Sequence, residues 1–525
     1  MEKVKNAIIL AAGFGSRLVP LTYDTPKALI KVRGIPLIER LITQILDAGI
    51  TEIIVIVGYK KEKFEYLTDK YNVSLVYNPE YAIKNNLSSI NLILDRLSSS
   101  YIVFGDLWLE TNIFKQYEEE KAWDVCRYLK EETDDEWYIK MSNDKQIQSI
   151  SIGGSDALVL VGPAYFSADF CELFIPYLKT AYAREGTENY YWEDVLKDHI
   201  NELPMYANDQ TGKVFDIDDL VTLRQFDGDF FAEKLESPIL QNIIKTLNIS
   251  IDQISNIIPL KLGMINDSFC FNACGKKYIY RKPGTGTDII LNRKAEYAAY
   301  QAIKPFKISD DVLFFDPDTG HKLAVYMENS RTADSHNPLE VKKCMRALKK
   351  FHGLGLQVDY TFDLLHTLNL YESLWIDKIY YFDDYKLVKS QITELIDYID
   401  TCDKEWTLCH IDTLQLNILF VGEDVKLIDW EFAGMQDAHI DLATFCLFAE
   451  YNEEQVDSLI DIYFERVCEP EIRRKIYAYI SICGLLWSGL AEYQITLGID
   501  LRDYSNSMYS YAKKYYELWK KLKLN

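Results

Sequence analysis

The stretch 10–31, LAAGFGSRLVPLTYDTPKALIK, limits what this chain can fold into more than any other. An apolar run at 7–10 reads as a buried strand, and it passes directly into a loop carrying Ala11, Ala12, Gly13, Gly15, Ser16 and Arg17. A strand that feeds such a loop is built to cradle a polyphosphate, because glycine lets backbone N–H groups approach an anion without a Cβ in the way. Arg17 and, ten residues on, Lys27 add mobile positive charge. A lone Gly-x-Gly is usually an ordinary turn, but here the string continues through Thr25-Pro26-Lys27-Ala28-Leu29. It lacks the lysine of a Walker-type GK[ST] and the second half of a dinucleotide GxGxxG, which excludes both of those nucleotide-binding classes.

The next 200 or so residues repeat one pattern. Apolar positions 37, 41, 45 and 38, 42, 46 predict a helix over 36–48, with strands at 52–57, 73–77 and 101–104 and amphipathic helices between them. This is an α/β, Rossmann-like order with a mostly parallel sheet, so ligands should sit at the carboxyl ends of the strands. The strand at 101–104 delivers Asp106 to that edge, although an isolated aspartate there could equally be a turn residue. A second acidic cluster, 216–219, follows a strand at 213–215 and offers Asp216 or Asp218 as a partner; spacing does not choose between them. Two carboxylates from different strand ends can hold Mg2+ against a triphosphate. The string 10–29 resembles the signature of the nucleotidyltransferase (pyrophosphorylase) superfamily, which implies that this acidic pair is its metal site.

Between the carboxylates lie Trp137-Tyr138 and Tyr190-Tyr191-Trp192-Glu193-Asp194. Any one of these aromatics is more often core than ligand wall. Together with acids, however, ring faces suit a quaternary ammonium, a cation with no N–H to donate, better than they suit a sugar. Through 10–32, Val55, Gly58-Tyr59, Asn85-Asn86, Asp106 and YYWEDVLK at 190–197, the first 230 residues resemble the bacterial CTP:phosphocholine cytidylyltransferases. The resemblance implies attack of phosphocholine on the α-phosphorus of CTP, a nucleotide site at Ala11, Ala12, Gly13, Gly15, Ser16 and Asn86, catalysis by Lys27 and Arg17, and an acceptor site at Trp137 and 190–194.

A boundary is expected at 230–237, giving domains 1–230 and 238–525. Beyond it, 259–271 reads as strand-turn-strand, KYIYR at 277–281 as a strand, and 293–303 as a helix carrying Glu296. Arg281 on a strand and Glu296 on the next helix match the ion pair that positions ATP phosphates in kinase folds, although by itself that pattern is more often a surface pair. The decisive stretch is His410-Ile-Asp412-Thr-Leu-Gln-Leu-Asn417, followed by Leu427-Ile428-Asp429-Trp430-Glu431. In order and spacing it matches a kinase catalytic loop and metal aspartate, with Asp412 orienting the substrate hydroxyl, Asn417 and Asp429 holding Mg2+, and His410 structural. The protein-kinase glycine loop is missing, and Trp430-Glu431 replaces Phe-Gly.

Through Arg281, Pro283-Gly284, Thr287, Asn292-Arg293-Lys294, Glu296, the HxDxxxxN loop, IDWEFAG and Leu485-Leu486-Trp487, residues 238–525 resemble the choline/ethanolamine kinases. That implies an α+β, bilobal, protein-kinase-like domain in which Arg281 and Glu296 serve ATP and Trp430, Glu431 and Trp487 serve choline. The family often has a second Trp shortly after the first; Leu490 and Ala491 stand there, and Tyr493 is the nearest substitute.

The whole chain fits small-molecule chemistry. A formal charge of -23 and no long Lys/Arg run argue against nucleic acid as a partner. Ten cysteines occur without C-x-x-C spacing, as in a reducing, cytoplasmic protein. The N-terminal apolar run is too short for a signal peptide, and the longest uncharged run, 476–491, is too short to cross a membrane and reads as a buried helix. The expected substrates are choline, ATP, phosphocholine and CTP, with Mg2+ as cofactor; oligomeric state is not specified. The rival expectations are the same reactions on ethanolamine or a phosphonate acceptor, a sugar-1-phosphate nucleotidyltransferase fused to an aminoglycoside-type kinase, and one catalytically silent half.

Overall fold

The computed structural model describes residues 1–227, 237–260, 266–284, 286–375 and 381–522. The expected domain boundary at 230–237, apart from Ser237, and the turn expected near 261–265 lie outside them. The chain divides into two compact units, Met1–Ile251 and Asp252–Asn525, so the helix Pro238–Leu247, read above as the start of the second domain, groups with the first.

The first unit is organised by a nine-stranded sheet. Its parallel half runs Ser100–Phe104, Asn6–Ala11, Ile53–Val57, Ser74–Tyr77, built from the strands that the alternating pattern indicated. Asn6–Ala11 and Ile53–Val57 are buried along their whole length because both faces are covered, which explains their unbroken apolar sequence. One face packs Ile9, Val55 and Val103 against Ile38, Leu41 and Ile45 of the helix Leu37–Asp47. The other packs Ile8, Ile54 and Ile102 against Leu87, Ile90 and Trp192.

Antiparallel strands extend the sheet beyond Ser100–Phe104: Ala157–Phe166, then Thr133–Met141 and Ile147–Gly154, with Trp123–Leu129 also on Ala157–Phe166. Because Asn6–Ala11 and Ser100–Phe104 are parallel neighbours, the glycine loop and Asp106 leave the sheet at one edge.

The second unit opens with a five-stranded antiparallel sheet, Ile254–Pro259, Asn266–Ala273, Lys276–Pro283, Lys322–Val325, Val312–Phe315. The helix Arg293–Ile303 follows Lys276–Pro283 and has the bounds read from its sequence. The rest is largely helical and surrounds one core, in which Pro470–Thr496 is buried along most of its length. Gly484 allows that helix to meet Arg502–Leu522: a Cβ there would stand 2.7 Å from Ala512 N. Two short pairings, Ile418–Val421 with Asp424–Leu427 and Trp406–Cys409 with Gly434–Asp437, carry the loops that contain Asp412, Asn417 and Asp429.

Candidate active sites

In the first unit the glycine loop folds back onto Lys27. Gly15 has φ +70°, and a Cβ on it would lie 2.8 Å from Lys27 Cβ, so a larger residue would displace the lysine. Thr22 Oγ1 donates to the Gly15 carbonyl at 3.1 Å and closes the loop. Lys27 Nζ sits 2.5 Å from Asp106, 3.9 Å from Asp216, and in contact with Asp218. Burial works to lower the Lys27 ammonium, but the three carboxylates outweigh it and raise its pKa. Asp216 is pushed well up by burial and then by Asp106; Asp218, although burial opposes this, is held below its usual range by Lys27 and Arg17.

Carboxylate oxygens of Asp106, Asp216 and Asp218 lie within 4.8 Å of one another, and Asp216 Oδ1 is buried without a hydrogen-bond partner. Two cations, Lys27 and Arg17, face three acids here, so one carboxylate is left over, and hard oxygen donors suit Mg2+. This donor set therefore fits the ion.

Arg17 joins this cluster to the aromatic wall. It reaches Asp218 at 3.1 Å and Asp135 at 3.9 Å, and Tyr191 is among the groups that raise its pKa. Asp135 lies on the strand Thr133–Met141 with Trp137, whose ring meets Tyr191 edge-on at 6.0 Å. Tyr190 accepts a hydrogen bond from Arg184 at 3.1 Å. Asn86 accepts from the Trp192 backbone N–H at 2.8 Å and donates to Glu193 at 3.5 Å, tying the helix Asn86–Asn91 to the start of Trp192–Asp198.

Two expected acceptor residues are corrected here. Trp192 is fully buried among Phe166 and Phe174, on the side of its helix that packs on the sheet, so its ring is core. Asp194 caps that helix by accepting from the Tyr191 N–H at 3.0 Å and pairs with Lys197 at 3.1 Å.

In the second unit Arg281 Nη1 lies 2.5 Å from Glu296 and 3.2 Å from Asp429. The pair is buried, unlike a surface pair; burial opposes both charges, but their mutual attraction raises Arg281 and lowers Glu296. Arg293, named in the sequence only as part of the resemblance and given no role there, completes the network: it bridges Glu296 at 3.0 Å and Glu431 at 3.3 Å. Its spacing to Glu296 was visible, but not the long-range contact.

Glu431 also accepts from Asn266 at 2.7 Å and is thereby committed to this network; its expected place against choline is corrected. Trp430 is likewise corrected, being fully buried against Phe351 and His410 with its indole N–H donated to the Leu427 carbonyl at 2.9 Å. Trp487 packs edge-on against Phe432 and Phe448 and is 7% exposed.

Asn417 Nδ2 donates to Asp412 Oδ2 at 2.9 Å, and the Ile428 N–H donates to the Asn417 carbonyl at 2.9 Å, which brings the Asp429 segment alongside the loop. Asp412 is pushed up to about 7 by burial and then by Asp429. Its charge reaches two phenols missed in the sequence, Tyr371 and Tyr504, whose positions on distant helices gave no local signal. His410 is held neutral by burial and donates Nε2–H to the Ile428 carbonyl at 2.9 Å, a structural role. Asp441, also missed, takes the His410 and Ile411 N–H groups at 2.9 and 2.7 Å and holds Ile411 at φ 68°.

Comparison with known proteins matches residues 6–151 to the Nucleotidyl transferase family and residues 254–483 to the Choline/ethanolamine kinase family. The chain is 36% identical over 228 residues to the choline-phosphate cytidylyltransferase of Streptococcus pneumoniae, spanning 42% of this chain and 96% of that protein. It is 38% identical over 226 residues to the 2-aminoethylphosphonate cytidylyltransferase of Lancefieldella rimae, spanning 42% and 92%. To Protein LicA of Haemophilus influenzae it is 27% identical over 247 residues, spanning 44% and 91%.

Proposed function

Because this chain belongs to the nucleotidyl transferase family through its first unit and carries a choline/ethanolamine kinase family domain in its second, we propose that it phosphorylates choline with ATP and couples the phosphocholine to CTP. The products are CDP-choline and pyrophosphate. The observation that carries the acceptor assignment is the series of contacts from Lys27 through Asp218 and Arg17 to Asp135, on the strand that also carries Trp137, whose ring meets Tyr191; it sets aromatic faces near the phosphate-binding loop.

In the kinase step the choline oxygen bonds to the γ-phosphorus of ATP and the bond to ADP breaks. Asp412 orients the hydroxyl and receives its proton, while Asn417 fixes the Asp412 carboxylate. Glu296 holds Arg281 in place for the ATP phosphates. Asn417 and Asp429 would hold Mg2+ here, as Asp106, Asp216 and Asp218 would in the first unit; bound Mg2+ supplies neutralisation of phosphate charge.

In the transfer step a phosphocholine oxygen bonds to the α-phosphorus of CTP and pyrophosphate leaves. The attacking oxygen is already anionic, so no general base is needed. Lys27, Arg17 and the loop N–H groups hold the triphosphate in line and stabilise the charge that builds up. Identity to a 2-aminoethylphosphonate cytidylyltransferase supports a second reading, in which the acceptor is an aminoalkyl phosphonate.

Half-reactions test the assignment. Lys27→Ala abolishes pyrophosphate release from CTP and phosphocholine but leaves ADP formation from ATP and choline; Asp412→Ala does the reverse. Loss of both activities in either folded variant contradicts independent sites. Faster turnover of 2-aminoethylphosphonate than of phosphocholine selects the second reading.

A further inference from the structure

The buried pair Arg281–Glu296 of the second unit has a second tie beside it. In the antiparallel pairing of Lys276–Pro283 with Lys322–Val325, Lys322 stands directly opposite Arg281, so both side chains leave the same face of the sheet. Lys322 Nζ donates to the Tyr300 hydroxyl oxygen at 2.6 Å and to Asp310 Oδ2 at 3.0 Å. Tyr300 follows Glu296 by four residues, one turn along the same face of the helix Arg293–Ile303. The sheet therefore grips this helix twice, through Arg281–Glu296 and through Lys322–Tyr300.

The contacts close into a ring. Ser309 Oγ donates to Asp310 Oδ1 at 2.7 Å and accepts at 3.1 Å from the Trp430 indole N–H, which it shares with the Leu427 carbonyl. The Leu427 N–H donates to the Ile308 carbonyl at 2.8 Å, pinning the two segments together on their backbones as well. Trp430 follows Asp429 in the chain, and Asp429 meets Arg281 at 3.2 Å. From Asp429 the path runs through Trp430, Ser309, Asp310, Lys322 and Tyr300 to the helix of Glu296, and returns through Glu296 and Arg281 to Asp429.

Lysine is an unfavourable residue at this position if packing alone is at stake. Lys322 is 7% exposed and sets a second cation across from Arg281, where like charges weaken a sheet. A buried ion pair is often no more stabilising than apolar side chains of the same volume. What a fully hydrogen-bonded buried network supplies is one fixed arrangement of the groups that it joins.

We propose that Lys322 is a positioning residue of the phosphoryl-transfer site. Through Tyr300 it fixes the helix whose Glu296 aims Arg281, and through Asp310 and Ser309 it fixes the segment of Asp429, so one side chain sets both groups that face ATP. It acts through these groups and not on a substrate. The proposal deepens the kinase reading above and rests on it.

The test uses the full chain. Ser309→Ala and Tyr300→Phe open the ring on either side of Lys322 and leave the Lys322–Asp310 ion pair in place, so neither strands a buried charge. ATP binding in the absence of choline is measured by calorimetry, beside steady-state ADP formation with choline. Each variant is expected to bind ATP about fivefold more weakly and to show a matching rise in KM for ATP, with KM for choline within about twofold. Opening one ring at two places costs little more than opening it once, so the double variant is expected to stay near fivefold, where independent contacts would multiply to about 25-fold. Lys322→Met should show the same selective loss of ATP affinity. Unchanged ATP affinity in the folded single variants, or losses that multiply in the double variant, overturn the role of Lys322. A wild-type protein that forms no ADP from ATP and choline overturns the kinase reading itself, and this proposal with it.

Discussion

Lys27 concentrates the chemistry of the first unit at one nitrogen, because three carboxylates surround it and one backbone loop determines its position. Asp124 makes the opposite case, a buried acid with nothing to neutralise it, and this predicts a pH dependence of stability. Its pKa is near 3.8 unfolded and about 7 folded, so between these values the folded state holds a proton that the unfolded state has lost. Its contribution is complete below about pH 4 and falls as pH rises through about 7, by a few kcal/mol in all. Asp124→Asn should therefore raise the Tm of the unliganded first unit more at pH 8 than at pH 5, as read by thermal unfolding; a gap that narrows with rising pH contradicts the assignment. At this scale the meeting of Lys27 and Arg17 with the glycine loop was legible because a motif specifies backbone and chemistry together, whereas spacing did not choose between Asp216 and Asp218, both of which the fold brings near Lys27. Trp192 and Trp430 were misjudged because an aromatic letter is the same on a ligand wall and in a core, and only the packing of the sheet decides. Asp124 carried no signal, since one aspartate in an apolar strand looks like a surface position.

Among the elements, the glycine loop and the strand that follows it depend on close backbone approach. Gly58 lies where a Cβ would stand 2.6 Å from the Ala12 carbonyl, next to the Tyr59 N–H bond to that same oxygen at 3.0 Å. Gly58→Ala should push the loop aside, lowering CTP turnover by 10-fold or more, on the order of 1.4 kcal/mol in transition-state binding, with ADP formation unchanged. In the second unit the helix Arg293–Ile303 is tied to the sheet by the buried Glu296. Glu296→Gln leaves Arg281 and Arg293 without their shared counter-charge and should cost about 3–5 kcal/mol in chemical denaturation. A loss below about 1 kcal/mol would mean that the network is dispensable. The parallel strands and the helices were legible because apolar periodicity, and Pro36 at the start of Leu37–Asp47, mark them locally; the Asn292 cap of Arg293–Ile303 is seen only in the fold. The antiparallel strands from Trp123 to Phe166 were not, since their pairing order is set by long-range register with a bulge between Asp124 and Cys126.

At the scale of the whole molecule, each unit has its own core and its own complete set of candidate catalytic residues. We expect fragments 1–251 and 252–525, expressed separately, to keep pyrophosphate release and ADP formation respectively, each within about threefold of the full chain; loss of either activity in a folded fragment would show that one unit completes the other's site. Two consecutive reactions in one chain also predict an order of use, in which the product of the second unit is the acceptor of the first. The most direct measurement is mass spectrometry of products after incubating the pure protein with choline, ATP, CTP and Mg2+, with parallel reactions that omit ATP or replace choline with phosphocholine. We predict CDP-choline that requires ATP when choline is supplied and does not require it when phosphocholine is supplied. Phosphocholine accumulating without CDP-choline in the presence of CTP would contradict the central claim.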